Sequence, residues 1–139
     1  RNPHMTDEIR TVVQYRLERA HEALQEADLL YQSGFYNTVA SRLYYACFYS
    51  VSALLMLNNF HATTHAGTRS QFAQHFVHTG IVPIELNTLY SQLFRFRERS
   101  DYELQFRLDA EEANRLLNEA PAFIAAIERL IEEQQAAQS

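Results

Sequence analysis

The stretch Gly34–Phe60, GFYNTVASRLYYACFYSVSALLMLNNF, constrains the fold more than any other part of the chain. Leu43, Ala46, Cys47, Ser50, Leu54 and Leu57 recur at three- and four-residue steps, one apolar stripe of a 3.6-residue period, and predict a single long helix. A second stripe, Thr38, Arg42, Tyr45, Tyr49, Ser52 and Met56, follows the same steps on another face. It is aromatic in body and polar at its tips. A helix in a small domain turns one stripe into its own core, so the second is expected to face a partner or a site.

The rest of the chain supplies helices to pack on it. Thr6-Asp7-Glu8 reads as an N-cap followed by acids that suit the helix dipole. An amphipathic helix then runs to about Gln32, with Val12 or Val13, Leu17, Ala20, Leu24, Ala27 and Leu30 inward. Ser33-Gly34 ends it, Gly34 taking the left-handed C-terminal conformation, so the first two helices are expected to form an antiparallel hairpin. A polar loop follows from Phe60 to Thr68. A shorter helix is expected from near Thr68, carrying Phe72, Phe76 and Val77, and Thr79-Gly80 ends it. Pro83 opens the next helix, which aligns Leu86, Leu89, Leu93 and Phe96. The last helix begins near Asp109 and presents Ala113, Leu116, Leu117, Ala120, Ile124, Ile127 and Ile131; Pro121 is expected to kink or split it. With 139 residues, only three Gly and three Pro, and no strand pattern, the chain reads as one all-α domain. The expected architecture is an up-and-down four-helix bundle with an additional short helix. Residues 1–4, preceding Met5, read as a leader left by cloning, 5–133 as the helical domain and 134–139 as a frayed polar tail.

No signal-peptide pattern follows Met5, and no apolar run is expected to span a bilayer, because Asn37, Arg42 and Ser50 interrupt even the central helix. Cys47 is the only cysteine, which rules out an intrachain disulfide and suits a reducing cytoplasm, the expected location. Its place in the apolar stripe reads as a packed thiol rather than a nucleophile. His61 and His65 are four apart and His75 and His78 three apart, yet no third ligand recurs near either pair, so no metal site is assigned. There is no G-x-S-x-G and no glycine loop for phosphate, and no cofactor is implied.

The formal charge of −5 argues against a general nucleic-acid coat. All twelve basic residues are arginine, and three of them, Arg95, Arg97 and Arg99, fall within five positions. They suit a helix C-terminus, an ion pair with Asp101, or phosphate bound through the planar guanidinium fork.

Taken together, ASRLYYACFYSVSALL at 40–55, THAGT at 64–68 and RERSDY at 97–102 resemble the HEPN family, in particular its small stand-alone bacterial and archaeal proteins. The resemblance spans nearly the whole chain after Met5. It implies a four-helix bundle with a short extra helix, usually a homodimer. Active members are metal-independent ribonucleases that use an arginine followed after four to six residues by a histidine, brought together across the dimer. In this chain the corresponding windows after Arg95, Arg97 and Arg99 hold no histidine. His65, in the THAG segment, is the imidazole that could replace it.

The resemblance therefore implies RNA or nucleotide phosphate held at an arginine site between subunits. Arg97 is the first-choice phosphate ligand, with Asp101 orienting it, Tyr102 hydrogen-bonding or stacking, and Arg42, Tyr45, Arg95 and Arg99 as further binding residues. A minimal nucleotidyltransferase is the implied partner, the two proteins forming a toxin–antitoxin type pair, and Tyr102 would then be the tyrosine that the partner modifies. Two alternatives stand beside this reading: an active endoribonuclease with a rearranged catalytic set that includes His65, and a non-catalytic interaction module in which Arg97 and Asp101 merely pair.

Overall fold

The computed structural model describes residues 6–138, so the leader read at residues 1–4 lies outside the described residues. The chain is an up-and-down bundle of four long helices, α1 (Asp7–Gln32), α2 (Tyr36–Leu57), α4 (Ile84–Tyr102) and α5 (Ala110–Ala137). A short helix, α3 (His65–Phe72), lies between α2 and α4. No strand occurs among the described residues.

Local chemistry sets most of the boundaries. The Thr6 hydroxyl accepts the Ile9 N–H at 3.1 Å and starts α1. Gly34, at φ 82°, closes it: Phe35 N–H reaches back to Leu30 C=O and Gly34 N–H to Tyr31 C=O. This paired closure satisfies the last carbonyls and turns the chain directly into α2. Asp109 caps α5 by accepting the Glu112 N–H at 2.8 Å. The connection before α5 is pinned by Asn37, whose side chain donates to Phe106 C=O at 2.9 Å and accepts from Leu108 N–H at 2.8 Å.

α2 is the central helix, in contact with α1, α3, α4 and α5. Its apolar stripe is fully buried, and Val13, Leu17, Ala20, Ala23 and Ala27 of α1 close over one side. Phe72, Tyr90, Leu93, Leu116, Phe123, Ile124 and Ile127 complete the core. By length and composition α2 could cross a membrane, contrary to the expectation above, but 61% of that window is already buried within the bundle.

The short helix departs from expectation. It starts at His65 rather than near Thr68, because Thr64 is an N-cap: its hydroxyl accepts the Gly67 N–H at 2.9 Å. Thr68 returns a hydrogen bond to Thr64 C=O, also at 2.9 Å. Gly67 is required here, since a Cβ would come within 2.9 Å of the Thr64 hydroxyl. The helix passes into one π turn, Ala73–Val77, with His78 N–H bonded to Ala73 C=O at 2.8 Å.

Pro121 does not divide α5. It stands on the exposed side, while Leu116, Ala120, Phe123 and Ile124 on either side of it bury into the same core within one continuous helix. The helix also continues into the tail read as frayed from residue 134: it runs to Ala137, and Gln134 exchanges hydrogen bonds with Asn58 at 2.9 and 3.3 Å.

Candidate functional site

Three elements, α2, α3 and α4, meet around the tyrosine pair Tyr44–Tyr45 of α2. From α4 comes Arg97, whose guanidinium carbon lies 5.1 Å from the Tyr44 ring centroid and 5.8 Å from that of Tyr45. From the first turn of α3 comes His65, its Nδ1 2.8 Å from the Tyr44 hydroxyl. Phe48, one turn along α2 from Tyr44, packs against the His65 ring at 4.6 Å between centroids. The Thr64 cap and Gly67 explain why His65 projects from the start of a helix onto α2 rather than drifting in a loop.

The aromatic surroundings alter the ionisation of each group. Tyr44 is fully buried, and burial pushes its phenol well above the usual tyrosine range, with the Arg97 charge opposing. Desolvation pushes the His65 imidazole below its ordinary value, and the Arg97 charge adds to that shift. His65 is thus biased toward the neutral ring near pH 7, with one nitrogen engaged by Tyr44 and Nε2 left for a proton or a ligand.

Arg97 is only 19% exposed, yet its charge is weakly compensated. Its Nη1 stands 3.6 Å from an Asp101 carboxylate oxygen, an ion pair beyond hydrogen-bond length, and that carboxylate is 51% exposed. The same Nη1 donates to the Tyr45 hydroxyl at 3.4 Å. Nε is buried without a hydrogen-bond partner, and Nη2 makes no hydrogen bond among the described residues. Arg42 joins from the other flank, 5.1 Å over the Tyr45 ring and 3.4 Å from Glu26.

Arg42, Tyr45, His65 and Arg97 therefore form one polar-aromatic cluster, with Asp101 at its edge. The other residues marked in the sequence stand apart. Arg99 is bound to Glu103 at 3.2 Å and stacks over Phe106 at 4.4 Å. Arg95 is exposed, with no ion-pair partner among the described residues. Tyr102 ends α4, 84% exposed. Among the described residues no three potential metal ligands come together, and His75 instead stacks on Phe60 at 3.9 Å.

The sequence reading missed Tyr44, which belongs to neither stripe noted above. A signal existed: Tyr44, Phe48, Val51 and Leu55 form a third stripe at helical spacing. A helix apolar on all sides is a central one, and the aromatic stripe of such a helix has to meet whatever covers it.

A guanidinium held against tyrosines beside a neutral imidazole can bind a phosphodiester and move protons at its oxygens. Comparison with known proteins gives this arrangement its context. The family model for the HEPN domain matches residues 13–130. A "UPF0332 protein" of Thermotoga maritima is 35% identical over 122 residues, covering 88% of this chain and 92% of the relative. Two proteins of Methanocaldococcus jannaschii, each named "Putative toxin", are 32% and 30% identical, covering 78% and 93% of this chain and 74% and 96% of their own lengths. The match runs from the first core valine of α1 to the last turns of α5, through the whole Tyr44–His65–Arg97 cluster, and on this ground the chain belongs to the HEPN domain family.

Proposed function

We propose that this protein is a toxin-like HEPN protein that holds RNA or a nucleotide phosphate at Arg97, in a site completed by a second copy of the chain. The observation that carries this reading is the state of Arg97: three-quarters or more of its side chain is covered, its carboxylate partner is distant and half in water, and its Nη2 is uncommitted. A mostly buried cation with so little compensation favours an anionic ligand. Arg42, across the Tyr45 ring, supplies a second positive group to the same patch. Family membership and the names of the Methanocaldococcus jannaschii relatives support the toxin-like class. A nucleotidyltransferase partner that neutralises it, with Tyr102 as an accessible acceptor at the end of α4, belongs to the same proposal.

A second reading is favoured by one specific contact. His65 lies against the same two tyrosines as Arg97, with ring centroids 5.6 and 5.8 Å from Tyr44 and Tyr45. In a metal-independent ribonuclease Arg97 would stabilise charge on the phosphate, and neutral His65 would take the proton of the attacking 2′-hydroxyl and, as imidazolium, return it to the departing 5′-oxygen as the P–O5′ bond breaks.

The test is binding of RNA and of nucleotide, and RNA cleavage, by the purified protein in EDTA, beside Arg97→Gln and His65→Ala. Binding weakened by Arg97→Gln, with no cleavage by any form, supports the binding reading. Cleavage abolished by both substitutions supports the nuclease. Absence of RNA and nucleotide binding by the wild type overturns both and leaves the non-catalytic interaction module.

A further inference from the structure

On the α1 side of His65 lies a cleft of about 310 Å³, lined by Tyr15, Arg16, Arg19, Tyr49, Thr64 and His65 among others. None of its lining residues is acidic. We infer that this cleft is a second phosphate subsite, which takes a neighbouring nucleotide of the RNA strand whose phosphate sits at Arg97. The inference rests on the RNA-binding reading above and extends it along the strand.

Three observations carry it. First, among the described residues Arg16 has no carboxylate partner: its Nη1 donates to the Ser52 backbone carbonyl at 3.2 Å, and burial depresses its basicity. A half-buried guanidinium on a neutral acceptor is electrostatically incomplete, and an incoming phosphate completes it. Second, Arg19 is held in place by tyrosine hydroxyls, Tyr49 at 3.1 Å and Tyr15 at 3.4 Å, and lies 5.0 Å over the Tyr49 ring. Its ion-pair partner Glu22, at 3.3 Å, is largely in water, where such a pair contributes little. Third, Tyr15 is 56% exposed at the rim and offers a flat face to an unstacked base, as proteins that bind single strands do.

His65 joins the two regions. It lines the cleft and also lies against the Tyr44–Tyr45 pair that carries Arg97. Tyr45 and Tyr49 continue the connection one turn along α2, with ring centroids 6.1 Å apart. A strand crossing this face meets Arg97, then His65, then Arg19 and Arg16. The whole path runs over the polar-aromatic stripe of α2.

The experiment is equilibrium binding of a short single-stranded oligoribonucleotide, 2′-O-methylated so that it cannot be cut, measured by fluorescence anisotropy across a range of salt. The wild type is compared with Arg97→Gln, Arg16→Gln and Arg19→Gln. Each cleft substitution is expected to weaken binding about tenfold. Each is also expected to lower the slope of log affinity against log salt by about 0.7, the value for one lost phosphate contact on a single strand. Because Arg16 also ties α1 to α2, Arg19→Gln, at the half-exposed rim, is the deciding variant. Binding weakened by Arg97→Gln but unchanged by Arg19→Gln overturns the cleft and leaves the Arg97 site standing. Binding weakened by Arg19→Gln and unchanged by Arg97→Gln keeps the cleft as a phosphate site and overturns the Arg97 reading. No binding by the wild type overturns both.

Discussion

The Tyr44 hydroxyl and His65 Nδ1 are 2.8 Å apart, and this contact fastens the short helix α3 to the middle of α2. Tyr44 is buried among Phe48, Tyr90 and Phe94, so its ring has no freedom to follow His65 if the imidazole shifts. The imidazole is therefore positioned by the core of the bundle, although it stands at the surface end of a helix.

Replacing Tyr44 by Phe keeps the aromatic packing and removes the hydroxyl that meets His65 Nδ1. The expected cost is about 1 kcal/mol of stability, the net value of one such bond. Chemical denaturation should show a lower midpoint at unchanged slope. An unchanged midpoint would mean that the contact holds nothing in place.

The lowered pKa of His65 gives stability a defined pH dependence. In the unfolded chain its imidazole titrates near the ordinary value of about 6.5; in the fold it titrates lower. Between those two values the unfolded state binds more protons, so stability rises with pH across that window. The His65 contribution is complete above the unfolded value and is lost as pH falls through the folded one. NMR titration of the His65 ring should find it below the ordinary imidazole value, and Arg97→Gln should move it upward by removing a repelling charge. Movement downward would exclude Arg97 as a cause.

Gly67 leaves space for the Thr64 cap that orients His65. Gly67→Ala presses a methyl on the Thr64 hydroxyl and should cost on the order of 1 kcal/mol, the value of an N-cap. The Thr64→Ala variant removes the same cap from the other side. Similar losses in melting experiments, not adding in the double variant, would identify one shared interaction.

Cys47 is fully buried and its thiol is pushed far up by desolvation. A disulfide reagent should leave the native protein unlabelled and react only as it unfolds. Fast labelling at neutral pH would require α2 to open locally.

Tyr102 and Leu104 stand 84% and 93% exposed where α4 ends, close in sequence to Arg97. Leu104 is expected to form part of the surface covered in the dimer proposed above, while Tyr102 stays accessible. Leu104→Glu is expected to shift sedimentation toward the monomer, while a wild type that sediments as a monomer at all concentrations would remove the second copy from the site.

The chain of local signals in the sequence determined the bundle. Helical periodicity, the Thr6 and Asp109 caps and Gly34 at φ 82° act within a few residues, so the sequence alone locates α1, α2 and the start of α5. Arg97 and Asp101 were legible for the same reason, being one helical turn apart. At Pro121 and in the polar tail, packing outweighs local propensity. Pro121 lies within an unbroken α5 whose two halves bury into the same core, and the polar 134–137 segment stays helical, with Gln134 anchored by Asn58. What only the tertiary structure decided is which distant residues meet. Tyr44 and His65 are 21 positions apart, Tyr45 and Arg97 are 52 apart, and Arg19 and Tyr49 are 30 apart. No periodicity records those meetings, because they depend on how the helices rotate and slide against one another. The family motif was in the letters; the cleft beside it exists only once α1, α2 and α3 have packed.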